Sequence, residues 1–234
     1  MQCQIVHDSL HTREGWTRAY RLNIGQTMAG YGAVAIGGPW KGTTTVFEFY
    51  VAPEHRSQAQ TLFEVFAATA AITAFVMQTN DSLLAEMLAP WSAGARCEKV
   101  LFHDLRTTTL PANGTIFRRV TTGDAARIFP HHVEPVGDWL LEKAGTIVAT
   151  GGVLLHYNRP YGDLHMEVAA PSRREGFGSY LVQELKRICR ETGSIPCARC
   201  RPTNIASFNT LQKAGFSPCA QLSVGQLSPL SPGS

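Results

Sequence analysis

The chain has 234 residues, of which 44% are hydrophobic, and a formal net charge of +3. This length suits one large domain or two small ones, each with a real hydrophobic core. So small a charge gives no support for a nucleic-acid or membrane-surface partner, and we expect neither. The longest apolar stretch, from Val65 to Met77, is shorter than a membrane span, and the N-terminus lacks a basic start followed by an apolar signal core. We therefore expect a cytoplasmic protein.

Six cysteines raise the question of zinc or disulfides. Cys197 and Cys200 have C-x-x-C spacing, but they lie in a predicted strand, where residues three apart face opposite sides. No second C-x-x-C pair and no H-x-x-x-H motif accompanies them, so we expect no metal site. Buried thiols in a reducing compartment account for the cysteines better.

The first half, residues 1–104, predicts two adjacent strands followed by a helix, a strand and a second helix. The strands alternate or are rich in β-branched and aromatic residues, and the helices carry apolar residues at helical spacing. In chain order these elements are Gly32–Ile36, Val46–Val51, Gln58 to about Thr73, Ala74–Gln78 and Thr79–Leu88.

A polar, turn-rich segment follows and predicts a connector over residues 105–114. The second half, residues 115–228, begins with a predicted strand at Ile116–Val120. The adjacent His131 and His132 lack a carboxylate or a third histidine at matching spacing, so we expect them on a helix surface and not around a metal. Residues 229–234, rich in proline, glycine and serine, predict a loose tail.

The richest part of the second half joins a strand to a helix. Asp163–Val168 alternates polar and apolar residues, as a half-buried strand does. Leu181, Leu185 and Ile188 recur at helical spacing until Gly193 ends the pattern. A further strand, Ser194–Arg201, then leads into a short helix that is capped near Asn204 and ended by Gly215.

The turn before the first of these helices has the composition of a pyrophosphate site. A helix start leaves amide N–H groups without partners and carries partial positive charge, which attracts phosphate. Gly176 and Gly178 remove the Cβ atoms that would keep an anion from the main chain, and Arg173 and Arg174 can meet phosphate oxygens. A P-loop motif is absent, and a dinucleotide motif would need glycine where Leu181 stands. The alternative is that the glycines merely shape the turn.

This series of elements resembles the GNAT N-acetyltransferases over roughly Ala144 to Leu222. The motif R-x-x-G-x-G is present as Arg173–Gly178, and the Asn-led helix that ends in Gly-Phe runs from Asn204 to Phe216. The resemblance implies a mixed α/β (α+β) fold, the GNAT fold, in which helices flank a central mixed sheet. It also implies transfer of an acetyl group from acetyl-CoA to a primary amine by direct attack on the thioester.

The first half repeats the same order of elements, so we expect two tandem GNAT-like copies, although coincidence between two α/β stretches is the alternative. Aligning Arg56 with Arg173 places Ala59 and Thr61 where the second half has glycines. Their side chains should block the approach of a pyrophosphate to the main chain. We therefore expect acetyl-CoA to bind the second copy only. The first copy would either cover the acceptor pocket or form a homodimer contact.

The resemblance also implies which residues hold the donor. Amides of the turn would bind the pyrophosphate with the two arginines at its rim, strand main-chain groups would bind pantetheine, and two residues of the short helix would contact the same coenzyme. Asn204 could equally serve only as a helix cap. The expected coenzyme-binding residues are Val168, Ala170, Arg173, Arg174, Gly176, Phe177, Gly178, Ser179, Asn204 and Ser207.

For the chemistry, Glu167 is our first choice as general base, acting through a water molecule. Asp163 and His165 share its strand face and are the alternatives, and a merely solvated polar face is a third interpretation. The family's usual tyrosine acid falls on Leu211, which cannot donate a proton, so no acid is assigned; Tyr157 and Tyr161 are possible substitutes. The missing tyrosine favours the competing function, a non-catalytic acyl-CoA sensor or interaction module. The acceptor, a small-molecule or peptide amine, stays open.

Overall fold

The computed structural model describes residues 7–92, 94–155 and 158–227, so the candidate Tyr157 and the tail 229–234 lie outside the described residues. The α-helices are α1 His7–His11, α2 Ala59–Ala70, α3 Ser82–Leu88, α4 Phe177–Glu191 and α5 Ile205–Lys213. The strands are β1 Thr17–Ile24, β2 Thr27–Ala35, β3 Thr45–Val51, β4 Ala74–Gln78, β5 Arg96–Asp104, β6 Ile116–Arg119, β7 Trp139–Lys143, β8 Thr146–Leu154, β9 Tyr161–Val168, β10 Ile195–Cys200 and β11 Phe216–Gln226.

Two compact units divide the chain. The first comprises the residues up to Lys99 together with those from Ala220 onward, and the second is Val100–Cys219. The expected halves, 1–104 and 115–228, follow chain order and differ from this division at both ends. Strand β5 begins in the first unit and ends in the second, whereas β11 begins in the second and ends in the first.

In the first unit the strands follow the order β1-β2-β3-β4-β11. The pairs are antiparallel except for β3 and β4, which run parallel. Phe63 and Phe66 of α2 pack on Phe49 of β3, with ring centroids 5.1 and 6.2 Å from it. Helix α3 begins where Asp81 accepts a hydrogen bond from the Leu84 amide, which satisfies one of the amides left open at a helix start.

In the second unit the strands follow the order β5-β10-β9-β8-β7-β6. Strands β6 to β9 form an antiparallel meander, and β9 runs parallel to β10. Leu181 and Leu185 of α4 are fully buried in a core that includes Leu164 of β9, so the apolar stripe predicted from the sequence faces the sheet. Gly193, with φ of +79°, turns the chain out of α4 as expected.

The two units share one order of elements, namely three antiparallel strands, a helix, a strand parallel to the third, a second helix and a last strand. The series are β1-β2-β3-α2-β4-α3-β5 and β7-β8-β9-α4-β10-α5-β11. The last strands are exchanged, however, because β11 pairs with β4 and β5 pairs with β10. A division by chain order cannot show this exchange, since it assigns β5 to the first half and β11 to the second.

A buried lysine fixes the connector to the second unit. Lys186 of α4 is 1% exposed, and its ammonium group donates to the carbonyls of Ala214 at 2.7 Å and Arg106 at 2.8 Å. Its Nζ also lies 2.8 Å from the Asp104 carboxylate. Burial lowers the pKa of Lys186, while the bond to Asp104 acts in the opposite direction. Three oxygen atoms therefore surround the buried ammonium group, which is how a buried charge is tolerated.

Candidate functional site

The two parallel strands of the second unit separate partway along their length. Strand β9 pairs with β10 only over Tyr161–Asp163, opposite Ile195–Cys197. Beyond that point β9 stays paired with β8 and β10 stays paired with β5. The sheet therefore opens on one side of β9 after Asp163. The equivalent strands β3 and β4 pair over only two residues each, so the first unit has the same opening.

Main-chain groups of β9 line this opening. The Ala169 amide donates to the Val148 carbonyl on β8, whereas the Ile195 amide at the start of β10 donates to the Pro160 carbonyl. Because main-chain groups of successive residues in a strand point to opposite sides, the amides and carbonyls of the even-numbered residues face the opening. They belong to Leu164, Met166 and Val168, and the last was predicted as a pantetheine contact.

The turn at the end of the opening is made by two left-handed residues, Arg174 with φ of +68° and Gly176 with φ of +88°. Gly176 is the N-cap residue of α4 and offers no side chain to the first-turn amides. The Tyr180 amide donates to the Gly176 carbonyl, which is the first bond of the helix. The amides of Phe177, Gly178 and Ser179 precede that bond and are those a helix start leaves for a ligand.

Glycines leave little spare room at this turn. A Cβ atom on Gly178 would lie 3.3 Å from side-chain atoms of Val168 and Thr210, at the mouth of the opening. A Cβ atom on Gly176 would lie 3.3 Å from Nδ2 of Asn113, which itself donates to the Glu175 carbonyl at 2.9 Å. Asn113 belongs to the connector, and no sequence motif pointed to its role. The two glycines therefore leave the main chain of this turn open to direct contact with a ligand.

The two arginines have different surroundings. Arg173 is exposed, and its Nε donates to the carbonyl of Val168 at 3.3 Å, which closes the turn on the end of β9. Arg174 is exposed. In the first unit, Arg56 makes the equivalent bond to the carbonyl of Val51 at 2.7 Å, which supports the alignment of Arg56 with Arg173.

The turn of the first unit is otherwise different. Residues Pro53–Gln58 form a 3-10 helix that leads directly into α2. The described residues from Pro53 to Thr61 include none with a left-handed backbone. Ala59, at the position of Gly176, is buried with 3% of its surface exposed. The first unit therefore has the strand opening without the left-handed turn at its end.

The odd-numbered side chains of β9 lie on the face opposite α4, because Leu164 and Met166 pack with the helix. Glu167, the predicted base, is 9% exposed, and its carboxylate accepts hydrogen bonds from the amides of His132, Val133 and Glu134 at 3.1 to 3.3 Å. Burial raises the pKa of Glu167, but these three bonds outweigh it and lower the pKa overall. Glu167 thus holds the segment before β7 against β9.

His131 lies in an irregular segment and not on the expected helix surface. Its Nδ1 is 2.9 Å from the Glu134 carbonyl and 3.6 Å from the Glu167 carboxylate, and its Nε2 is 2.8 Å from the Thr150 hydroxyl. A hydroxyl, an imidazole and a carboxylate in this order resemble a nucleophile with its base. Thr150 is completely buried, however, so no substrate can reach it. The prediction of a helix surface was wrong because this segment is held in place by side chains of the strands, and such contacts leave no periodic pattern in the sequence.

The remaining two polar side chains on this face of β9 differ in their partners. Asp163 is buried and accepts a bond from Nε of Arg199 at 3.0 Å. His165 has a buried Nδ1 without a hydrogen-bond partner. Burial lowers the pKa of His165, with a smaller contribution from His131 in the same direction and an opposing one from Asp138.

Helix α5 carries the other predicted residues. Asn204 is its N-cap and accepts a bond from the Ser207 amide at 3.0 Å, so its role as a helix cap is confirmed, and its contact with the coenzyme stays a prediction. Leu211, where a tyrosine was looked for, is 4% exposed and packs in the core. Among the described residues no three His, Cys, Asp or Glu side chains cluster so as to hold a metal. Nor is any described helix both long and apolar enough to cross a membrane.

Comparison with known families agrees with this geometry. Residues 100–216, half of the chain, match the model of the acetyltransferase (GNAT) family. The chain belongs to the GNAT family. The match covers the second unit almost completely, including the strand opening, the left-handed turn and α5. No curated protein matches the sequence.

Solved structures with the same fold extend over both units. A GNAT-family acetyltransferase from Colwellia psychrerythraea is 16% identical, with a TM-score of 0.67, covering 90% of this chain and 85% of its own. A tandem GNAT protein from the clavulanic acid biosynthesis pathway is 13% identical, with a TM-score of 0.58 and coverages of 94% and 86%. A GCN5-related N-acetyltransferase from Sphaerobacter thermophilus is 16% identical, with a TM-score of 0.52 and coverages of 86% and 78%. The GNAT fold expected from the sequence is confirmed.

Proposed function

We propose that the second unit is an acetyl-CoA-dependent N-acetyltransferase that acts on a primary amine. The observation that carries this proposal is the left-handed turn from Arg174 to Gly176, which ends the opening between β9 and β10. Membership of the GNAT family supports acyl transfer in general. The choice of acetyl-CoA and of an amine is our inference from the turn and the family.

The residues present fit coenzyme A. The amides of Phe177, Gly178 and Ser179 would bind its pyrophosphate, with Arg174 at the rim, and each such charge-assisted bond contributes about 1.5–3 kcal/mol. The main-chain groups of Met166 and Val168 would bind the pantetheine arm, as a further strand would. When bound, the coenzyme supplies an activated acetyl thioester.

The protein must also supply a neutral amine. A lysine-like amine has a pKa of about 10.4, so only about one molecule in a thousand is neutral at pH 7, a cost of about 4–5 kcal/mol. A base near the thioester lowers this barrier. We take Asp163, His165 and Glu167 as the candidates, because they belong to β9, the strand that borders the opening.

We further propose that the first unit is a tandem GNAT-like copy that does not bind acetyl-CoA. Its shared order of elements and the paired bonds of Arg56 and Arg173 support a common origin. The 3-10 helix at Pro53–Gln58 stands where the second unit has the left-handed turn, and the amide of Ala59, at the position of Gly176, is already bonded to the Arg56 carbonyl. Titration with coenzyme A should therefore give one site per chain, and two sites would contradict this proposal.

The test of function measures thiol release from acetyl-CoA in the presence of a mixture of amines. Release above the hydrolysis background, with an acetylated product seen by mass spectrometry, supports transfer. The competing function, a non-catalytic acyl-CoA sensor, is favoured by the burial of Leu211 in place of a tyrosine acid. Saturable coenzyme A binding without any thiol release would favour the sensor and overturn the transferase.

A further inference from the structure

Three proton acceptors share the face of β9 opposite α4, and their partners distinguish them. Asp163 is engaged by the guanidinium group of Arg199 at 3.0 Å. Glu167 receives three amide hydrogen bonds, which stabilise its charged form and make it a weaker base. Both carboxylates are therefore already engaged in contacts that stabilise the fold.

His165 differs from both. It lies two residues beyond Asp163, the last residue of β9 paired with β10, and between two residues whose main chain faces the opening. Its Nδ1 is buried and has no hydrogen-bond partner. Leaving a buried polar group unpaired is costly, so such a group in a native structure requires an explanation.

The neighbouring strand makes room for the imidazole ring. Gly152 of β8 is paired with His165, and a Cβ atom at Gly152 would lie only 2.9 Å from Nε2 of the ring. Gly137, from the segment that Glu167 anchors, covers the same place, since its Cα would lie 3.2 Å from that Cβ atom. The two glycines and Glu167 together shape the surroundings of His165.

We propose that His165 is the general base that accepts a proton from the acceptor amine, and that Glu167 is a positioning residue that holds residues 132–134 beside it. This inference rests on the proposed acetyl transfer. As the amine nitrogen forms its bond to the thioester carbonyl carbon, one amine proton passes to Nε2 of the imidazole, since Nδ1 is buried. The carbon–sulfur bond then breaks, the electron pair leaves with sulfur, and the imidazolium returns the proton to the thiolate or to water.

The charges around the ring suit this role. His131 and Asp138 approach it from the segment before β7, and Asp163 and Glu167 flank it on β9. Burial lowers the pKa of His165, so the ring is neutral at pH 7 and able to accept a proton. The acidic limb of the activity profile should therefore report the protonation of this ring.

The experiment compares wild type with His165→Gln, using acetyl-CoA and a mixture of an α-amino acid, a diamine, an aminoglycoside and a short peptide. His165→Gln should lower kcat/KM about 10²–10⁴-fold and remove the acidic limb, with coenzyme A affinity unchanged. Glu167→Gln should raise KM for the amine and keep the limb, because the base remains. His55→Gln, which changes a histidine of the first unit, is the matched control and should behave as wild type.

The outcomes separate this inference from the proposed function. A wild type that releases no thiol overturns both, whereas an active wild type with an equally active His165→Gln overturns only the role of His165. Should His165→Gln fail to fold, Gly152→Ala provides the second variant, and unchanged turnover in it contradicts the assignment. An NMR titration of the unliganded protein gives a readout independent of activity: a His165 ring that is protonated at pH 7 refutes it.

Discussion

Replacing Gly176 by alanine tests the left-handed turn directly. Its φ of +88° costs any residue with a Cβ atom about 1–2 kcal/mol in backbone strain. For a chain of this size that loss lowers the melting temperature by about 2–8 °C. The new methyl group would also lie 3.3 Å from the Asn113 amide group that holds the Glu175 carbonyl. We expect this contact to shift the turn and remove one charge-assisted hydrogen bond to the pyrophosphate. Coenzyme A binding should then weaken about 10–150-fold.

Gly193 provides a matched control for the strain. It lies just after the other end of α4, its φ is +79°, and no atom lies within 4 Å of the position its Cβ would take. Gly193→Ala should therefore cost a similar loss of stability without changing coenzyme A affinity. Calorimetric titration with coenzyme A and thermal unfolding of both variants measure the two effects separately. Equal coenzyme A affinities in Gly176→Ala, Gly193→Ala and wild type would refute the pyrophosphate site.

Three other predictions concern the affinity for acetyl-CoA, the free energy of unfolding and the dependence of stability on pH. Gly178→Val should sharply weaken acetyl-CoA binding in calorimetry, because branched carbons would fill the space beside Val168; normal affinity would contradict the site. Lys186→Met should reduce the free energy of unfolding in urea by about 1–3 kcal/mol, since it leaves the carbonyls of Ala214 and Arg106 without their donor and Asp104 paired with Arg190 alone. Because the folded-state pKa of Glu167 is lowered, its stabilising contribution is complete above the unfolded value of about 4.3 and is lost as pH falls through the folded value. Stability measured in that range should therefore fall less steeply in Glu167→Gln than in wild type, and identical slopes would count against the three amide bonds.

Local features of the site were accessible to sequence reasoning. The alternation in β9, the apolar stripe of α4 and the Asn204 cap each depend on residues close together in the chain, and the structure has all three. The glycines were predictable for the same reason, since left-handed backbone at Gly176 is a property of one residue. The roles of Glu167 and His131 were not, because Glu167 binds main-chain amides 33 to 35 residues away and His131 contacts the Thr150 hydroxyl on a separate strand.

The sequence by itself determined the GNAT series of strands and helices, together with the motif that joins β9 to α4. Only the tertiary structure decided that β5 and β11 exchange places, so that each completes the unit to which its preceding helix does not belong. The physical reason lies in how strands pair. A strand is added to a sheet through backbone amides and carbonyls, which nearly every residue type offers, so the choice of partner leaves no local signature in the chain.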